Sequence, residues 1–229
     1  MHSPPHLPRA RPPFLVTGLV CAALALVLTV LVAVRWSPLV SLDGVVADAL
    51  HRDAVAEPGL VHVNRVLTDW VWDPWTMRAL TAAAVILLWW RGARVLAGWV
   101  AATSLFATLL QQGLKAAVGR ERPRWPDPVD SANYAAYPSG HAMTAAVTCG
   151  LLMWLLRLHG APPAVWWGSL ILTAVSVAGV AFTRLYLGVH WMSDVLGGVL
   201  LAGAVVALSV AGYGASTARR TAGGEEPPL

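Results

Sequence analysis

The chain has 229 residues, of which 57% are hydrophobic and only 12% are charged, about half the charged share of an ordinary soluble domain. This composition argues against a soluble globular protein and indicates an integral membrane protein. The formal net charge of +4 comes from arginines that lie singly between apolar runs, so no basic patch for nucleic acid is predicted.

Six apolar stretches each approach the roughly 20 residues that cross the core of a bilayer. Backbone polar groups in lipid must be satisfied within the segment, so these stretches predict helices. The expected fold class is all-α, a polytopic bundle of six transmembrane helices within residues 14–213. The predicted spans are 14–34, 75–90, 95–114, 142–158, 164–182 and 192–213. Residues 1–13 and 214–229 are predicted to be disordered cytoplasmic termini.

A long connection, residues 35–74, separates the first two predicted spans. Apolar residues recur at nearly helical spacing from Val61 to Val71, between charged side chains. This pattern predicts a short helix that lies in the membrane interface and caps the bundle.

Basic residues predict the orientation of the bundle, because cytoplasmic connections carry an excess of Lys and Arg. Six spans place both termini and the second and fourth connections on one side, which is therefore predicted to be cytoplasmic. The arginines of that side are Arg9, Arg11, Arg91, Arg94, Arg157, Arg219 and Arg220. On the opposite side, the connection 35–74 has six carboxylates against three arginines, whereas the two connections that carry the polar motifs have Lys115, Arg120, Arg122, Arg124 and Arg184. They break the charge bias and are expected to serve a local anion that faces the periplasm or the cell exterior.

Lys115, the only lysine in the chain, begins the first of three polar segments. Lys115 and Arg122 are seven residues apart, about two helical turns, so both are expected on one face at the end of the third span, where Pro123 stops the helix. Two cations on one face indicate an anion site. The alternative is that both side chains reach towards lipid headgroups.

The second segment, Pro138-Ser139-Gly140-His141, comes directly before the fourth span. A helix start has unpaired amides and a positive dipole end, so Ser139 and Gly140 are placed to donate to phosphate oxygens, with His141 on the first turn. The alternative is an ordinary serine N-cap that is followed by a solvated histidine.

The third segment contains Thr183-Arg184, His190 and Asp194. His190 and Asp194 are four residues apart, so the carboxylate is expected to accept the ring N–H of His190. This contact would fix the tautomer and leave the other ring nitrogen free to act as a nucleophile. The alternative is a structural His–Asp pair that closes a helix end.

The three segments, in this order and spacing, resemble the type 2 phosphatidic acid phosphatase (PAP2) superfamily. Its pattern is Lys-x6-Arg-Pro, Pro-Ser-Gly-His and Ser-Arg-x5-His-x3-Asp. The chain matches this pattern at every position except Thr183, which stands where the pattern has serine. The resemblance covers residues 75–213 well and the first 74 residues loosely.

This resemblance implies an integral membrane lipid phosphatase. His190 would attack phosphorus and form a phosphohistidine, with Asp194 orienting the ring. His141 would protonate the leaving oxygen and then activate the water that clears the intermediate. The implied phosphate-binding groups are Lys115, Arg122, Ser139, Gly140 and Arg184. No metal or other cofactor is implied, and the sequence has no carboxylate cluster with magnesium or zinc ligand spacing.

Two other classes of protein share this pattern of residues or this bundle. Vanadate-dependent haloperoxidases belong to the same superfamily, but they are soluble and large. A non-catalytic lipid-binding or transport protein would be favoured by loss of His141, His190 or Asp194, and all three are present. The expected partners are membrane lipids and a lipid phosphate, such as undecaprenyl diphosphate, phosphatidylglycerophosphate, phosphatidic acid or diacylglycerol diphosphate. An outer-face site on a short chain favours undecaprenyl diphosphate, while oligomeric state stays open.

Overall fold

A computed structural model describes residues 12–222, and the regular structure in this range is entirely helical. A π-helical turn at Leu67–Val71 follows the third helix. The helices are α1 (Pro12–Ala33), α2 (Ser37–Ala56), α3 (Pro58–Val66), α4 (Pro74–Trp90), α5 (Arg94–Val118), α6 (Gly140–Leu158), α7 (Pro163–Tyr186) and α8 (Met192–Ala222).

Five of the described helices, α1, α5, α6, α7 and α8, are long and apolar enough to cross a membrane. The helix α4 coincides with the second predicted span and has 17 residues, a length of about 25 Å at 1.5 Å per residue. This is the lower end of the range for a transmembrane helix. Each predicted span thus corresponds to a helix, and the predicted all-α membrane fold is confirmed.

Local sequence signals explain where several helices begin. Proline occupies the first turn of α2, α4 and α7, where its missing N–H has no intrahelical partner to lose. Asp73 caps α4, because its carboxylate accepts the backbone N–H groups of Trp75 at 2.7 Å and Thr76 at 3.2 Å.

Two helix ends differ from the prediction. The helix α5 ends at Val118 because Gly119 adopts a left-handed conformation, with φ of 57°, which glycine reaches without steric cost. The expectation that Lys115 and Arg122 share one helical face is therefore wrong, since Arg122 lies in the following loop. At the carboxyl end, α8 continues to Ala222, so residues 214–222 are helical. Residues 12 and 13, also predicted to be disordered, belong to α1, which begins at Pro12. The predicted disorder of residues 1–11 and 223–229 falls outside the described residues.

The main core lies where α4, α5, α6 and α8 meet. Buried apolar side chains from all four helices form one cluster, including Leu88, Val100, Leu151 and Val205. The helix α1 packs along α8 at close range: a Cβ added to Gly18 would lie 2.7 Å from the side chain of Leu208. Small residues on packed faces let membrane helices approach in this way.

The connection between the first two spans is mostly helical. The predicted interfacial helix corresponds to α3 and the π-helical turn, but α2 was not predicted from the sequence. Its residues are less apolar than those of the membrane spans, and they include charged residues and a glycine. Ala54 of α2 and Val61 of α3 pack against Leu187 and Val189, so both helices cover the loop between α7 and α8.

Candidate active site

The polar segments meet at one end of the bundle. Short turns join α4 to α5 and α6 to α7 at the opposite end, so the last turn of α5, the first turn of α6, the last turn of α7 and the start of α8 come together. These four helix ends, with the loops 119–139 and 187–191, carry all the predicted site residues: Lys115, Arg122, Ser139, Gly140, His141, Arg184, His190 and Asp194.

His190 lies between a carboxylate and a guanidinium. Its Nδ1 is 3.3 Å from Oδ2 of Asp194, the contact expected from the sequence, and its Nε2 is 3.1 Å from Nη1 of Arg122. A guanidinium can only donate, so Nε2 must be the accepting nitrogen and Nδ1 must carry the proton. The geometry therefore defines the tautomer: Nδ1–H points to Asp194, and the lone pair of Nε2 points towards Arg122.

The electrostatic surroundings keep His190 neutral. The ring is only 2% exposed, and this burial, followed by the positive charge of Arg122, holds the pKa of His190 well below its usual 6.5. Burial opposes the charged form of any group, and nearby cations oppose an imidazolium in particular. A neutral imidazole with an outward lone pair is the form required of a nucleophile.

Backbone carbonyls aim the guanidinium of Arg122. Its Nε donates to the carbonyl of Tyr134 at 3.0 Å, its Nη2 to that of Asn133 at 3.1 Å, and its Nη1 to that of Val189. Neutral carbonyls orient a cation without cancelling its charge. Arg122 therefore remains available to an anion beside Nε2 of His190.

Two further donors at the site are buried without a partner in the described residues. The hydroxyl of Ser139, a fully buried side chain, has no hydrogen bond, and neither does Nε of Arg184. Ser139 precedes α6 but makes no side-chain capping bond, so the N-cap alternative does not describe it. Unsatisfied buried donors are rare and costly, and both would be satisfied by the oxygens of a bound anion.

Lys115 and His141 complete the group. The ammonium of Lys115 donates to the carbonyl of Ala135, which leaves its other N–H groups for a ligand. His141, in the first turn of α6, interacts electrostatically with Arg184 and with His190. Nη1 of Arg184 donates to the hydroxyl of Thr68 at 3.1 Å, so the site is in contact with the π-helical turn.

Glycines make this close assembly possible. A Cβ on Gly198 of α8 would lie 2.8 Å from the backbone oxygen of Ser139, and a Cβ on Gly140 would lie 2.7 Å from Nε2 of Gln111. Contacts below 3.0 Å require a neighbour to move, and the backbone of Ser139 cannot move cheaply. Gly198 therefore lets α8 bring Asp194 against the start of α6.

Three residues that the sequence did not assign to the site contact it. Arg120 donates to Oδ1 of Asp194 at 2.7 Å through Nη1 and to Oδ2 of Asp43 at 2.7 Å through Nη2. Ser193 also contacts both Arg120 and Asp43. Asp43 lies on α2, far away in the sequence. The sequence analysis expected Arg120 to serve a local anion, but its two terminal nitrogens are paired with the carboxylates of Asp43 and Asp194 instead.

The chain is similar to known proteins in sequence and in fold. A model of the family described as the PAP2 superfamily matches residues 95–218, more than half of the chain. The fold is similar to a crystal structure described as the first transmembrane PAP2 type phosphatidylglycerolphosphate phosphatase from Bacillus subtilis. The TM-score is 0.65 with 22% identical residues, over 86% of this chain and 95% of that chain. No curated protein matches the sequence.

The chain belongs to the PAP2 superfamily. The predicted family and membrane fold are confirmed, and membership places the chain among phosphatases, as a multi-pass membrane enzyme.

Proposed function

We propose that this protein hydrolyses a lipid phosphate or lipid diphosphate through a phosphohistidine on His190. The observation that carries the proposal is the position of His190, whose Nδ1 contacts Asp194 while Nε2 faces Arg122 at 3.1 Å. A phosphorus atom bonded to Nε2 would bring its oxygens within reach of this guanidinium. The unpartnered donors of Ser139 and Arg184 support the same placement.

In the first step, the lone pair of Nε2 forms an N–P bond as the P–O bond to the leaving group breaks. The ring becomes positively charged and the carboxylate of Asp194 stabilises it. His141 gives a proton to the leaving oxygen. Bound phosphate offsets the cations around His141 and so favours its protonated form.

In the second step, water attacks phosphorus, the N–P bond breaks and inorganic phosphate leaves. His141, now neutral, takes the proton from the attacking water, so its first role is reversed. Lys115, Arg122 and Arg184 stabilise the negative charge on the phosphoryl oxygens throughout, because fixed donors in a water-poor site need no reorganisation.

An apolar cavity beside this site can accommodate a lipid tail. A cavity of about 600 Å³ lies between α1, α5 and α8, with Phe106, Leu110 and Leu114 among its lining residues. Its position next to the site follows from Leu114, which precedes Lys115, and from Thr29, which shares a 2.7 Å hydrogen bond with the Tyr137 hydroxyl. We propose that an acyl or prenyl chain occupies this cavity while its phosphate reaches His190.

We also propose that the site faces the periplasm or cell exterior, with both termini in the cytoplasm. At the other end of the bundle, Arg91 follows α4, Arg94 begins α5 and Arg157 lies in the last turn of α6. Arginine is enriched on the cytoplasmic side of membrane proteins. An enzyme in this orientation would act on lipids of the outer leaflet, which favours undecaprenyl diphosphate as the first substrate to test. Single cysteines at Arg91 and Arg124, introduced after replacement of Cys21 and Cys149, would report the orientation through an impermeant thiol reagent.

The proposal is tested by phosphate release from purified protein in detergent with EDTA present. The substrates are undecaprenyl diphosphate, phosphatidylglycerophosphate, phosphatidic acid and diacylglycerol diphosphate. Wild type is compared with His190→Ala and with His159→Ala, which removes an exposed histidine at the opposite end of the bundle.

We expect release from at least one lipid, loss of that release in His190→Ala and normal release in His159→Ala. Acid-labile phosphate on the wild-type protein, trapped during turnover, would identify the phosphohistidine. Equal release by wild type and His190→Ala would contradict the mechanism. Absence of release from all four lipids would favour a binding or transport protein on the same bundle.

A further inference from the structure

Asp43 is a buried carboxylate that has no role in the two proposed steps of phosphoryl transfer. Its side chain is 1% exposed, yet a buried carboxylate is costly unless it is paired and hydrogen-bonded. It lies on α2, outside the segment 95–218 that matches the family. Its side chain contacts Ser193 at the start of α8 and Arg120 in the loop after α5.

Asp43 caps α8 from another helix. Its Oδ1 accepts the backbone N–H of Ser193 at 2.9 Å, and its Oδ2 accepts the hydroxyl of Ser193. The first amides of a helix have no intrahelical partner, and a carboxylate there is favoured by the helix dipole. Asp43 therefore holds the turn that carries Asp194.

Arg120 connects Asp43 to Asp194. Its two terminal nitrogens contact one carboxylate each, both at 2.7 Å, and its guanidinium lies over the ring of Trp191. Oδ1 of Asp194 is taken by Arg120, which leaves Oδ2 to face Nδ1 of His190 and the backbone N–H of Trp191. The orientation of the carboxylate that contacts His190 is therefore set by Arg120.

The charges of this cluster do not cancel. With Arg120 and Asp194 alone, the guanidinium would neutralise the carboxylate that must stabilise a positive ring. Asp43 supplies a second carboxylate, so Arg120 is shared and the three groups keep one net negative charge. When His190 becomes positively charged, that charge is balanced within a buried site, where unbalanced charge is most costly.

We infer that Asp43 is a positioning residue for the reaction, which acts through Arg120 to hold Asp194 in place and to preserve its negative charge towards His190. The inference rests on the proposed function for its kinetic consequence and on the geometry alone for its effect on the His190 tautomer. Asp43 thus extends the site to α2, in the part of the chain where the resemblance is loosest.

The test compares wild type with Asp43→Asn, which removes the charge but keeps an oxygen for the Ser193 N–H. Asp48→Asn is the matched control, because Asp48 is an exposed carboxylate of the same helix. Two quantities are measured in detergent: kcat and KM for phosphate release, and the ring ¹⁵N shifts of His190, assigned by their loss in His190→Asn.

We expect Asp43→Asn to lower kcat about 10- to 100-fold, the range found when a carboxylate that supports a metal-bound histidine is lost, with KM changed less than threefold. The KM should persist because Lys115, Arg122 and Arg184 still bind the phosphate. The Nδ1–H tautomer of His190 should become a mixture of tautomers. Asp48→Asn should match wild type in both measurements.

The double variant Asp43→Asn/Arg120→Gln tests whether Asp43 acts through Arg120, because Arg120 is the group that contacts both carboxylates. If it does, loss of Asp43 has little further effect once Arg120 is removed, so kcat and the His190 tautomer of the double variant should match those of Arg120→Gln alone. A separate structural role of Asp43 predicts a further loss in the double variant. This comparison does not need Asp43→Asn itself, so it also serves where that variant fails to fold.

Unchanged kcat and an unchanged tautomer in folded Asp43→Asn would overturn the inference, and so would a double variant with clearly lower kcat than Arg120→Gln alone. Absence of phosphate release by wild type would overturn the proposed function instead. In that case the tautomer of His190, measured in Asp43→Asn and in the double variant, still decides whether Asp43 positions His190.

Discussion

The contact between Asp194 and His190 gives the most direct quantitative prediction. Replacing Asp194 with asparagine keeps the size of the side chain but removes its charge, at 3.3 Å from Nδ1 of His190. At this separation a carboxylate and an imidazolium attract each other by about 5 kcal/mol if the effective dielectric constant is about 20. This corresponds to a loss of about 10³- to 10⁴-fold in the rate of phosphohistidine formation.

The fold should tolerate this change better than the rate does. Arg120 would keep its 2.7 Å ion pair with Asp43, so Asp194→Asn leaves no unpaired guanidinium. The variant should therefore purify as a folded protein with a thermal midpoint near that of wild type. Removing both Asp43 and Asp194 would instead leave the partly buried guanidinium of Arg120 unpaired, which is strongly destabilising.

The assay is single-turnover formation of protein-bound phosphate, followed by acid lability, together with steady-state phosphate release. Asp48→Asn again serves as the control for loss of one negative charge. Phosphoenzyme formation within tenfold of the wild-type rate in folded Asp194→Asn would refute the assignment of Asp194 as the partner that stabilises the charged ring.

Three further predictions follow from the geometry. Arg122→Gln removes a positive neighbour of His190, so the pKa of His190 should rise towards 6.5. The acid limb of the pH profile of kcat/KM reports the free enzyme and should therefore move to higher pH. An unmoved limb would contradict the role of Arg122. Phe106→Trp narrows the apolar cavity, so KM should rise several-fold for a long-chain lipid phosphate but not for a short-chain soluble one. An equal rise in KM for both substrates would show that the cavity does not bind the lipid tail. Gly198→Val forces a Cβ to 2.8 Å from the Ser139 carbonyl and should cost about 1–3 kcal/mol of stability, seen as a lower thermal midpoint, whereas Gly214→Val, with open space around it, should not.

The membrane class, the helical spans and the residues of the three motifs were all predictable from the sequence. Span prediction works because the bilayer imposes a local requirement, about 20 apolar residues in a row, that can be read without any tertiary contact. The contact between His190 and Asp194 was also predicted, but His190 lies in the loop before α8, which begins at Met192, so helical spacing alone does not account for it. Family membership followed from the order and spacing of the motifs.

Local conformation misled the prediction for Arg122. Seven residues of helix would have placed it above Lys115, but the left-handed conformation of Gly119 ends α5 first. Arg122 reaches His190 from a loop instead, held by backbone carbonyls of residues 133, 134 and 189. A glycine permits a helix to end without requiring it, so the sequence pattern alone did not decide this point.

The cluster around Asp43 was decided by tertiary structure alone. Asp43 meets Ser193 across 150 residues of sequence, and such a contact leaves no periodic or motif signal on either side. In the sequence, Asp43 does not differ from the other carboxylates of the connection 35–74, and only the fold buries it against Arg120. The sequence specifies which groups can hold a phosphate; the packing of α2 on α7 and α8 decides which buried charges surround the nucleophile, because charge balance depends on distances that only the folded chain defines.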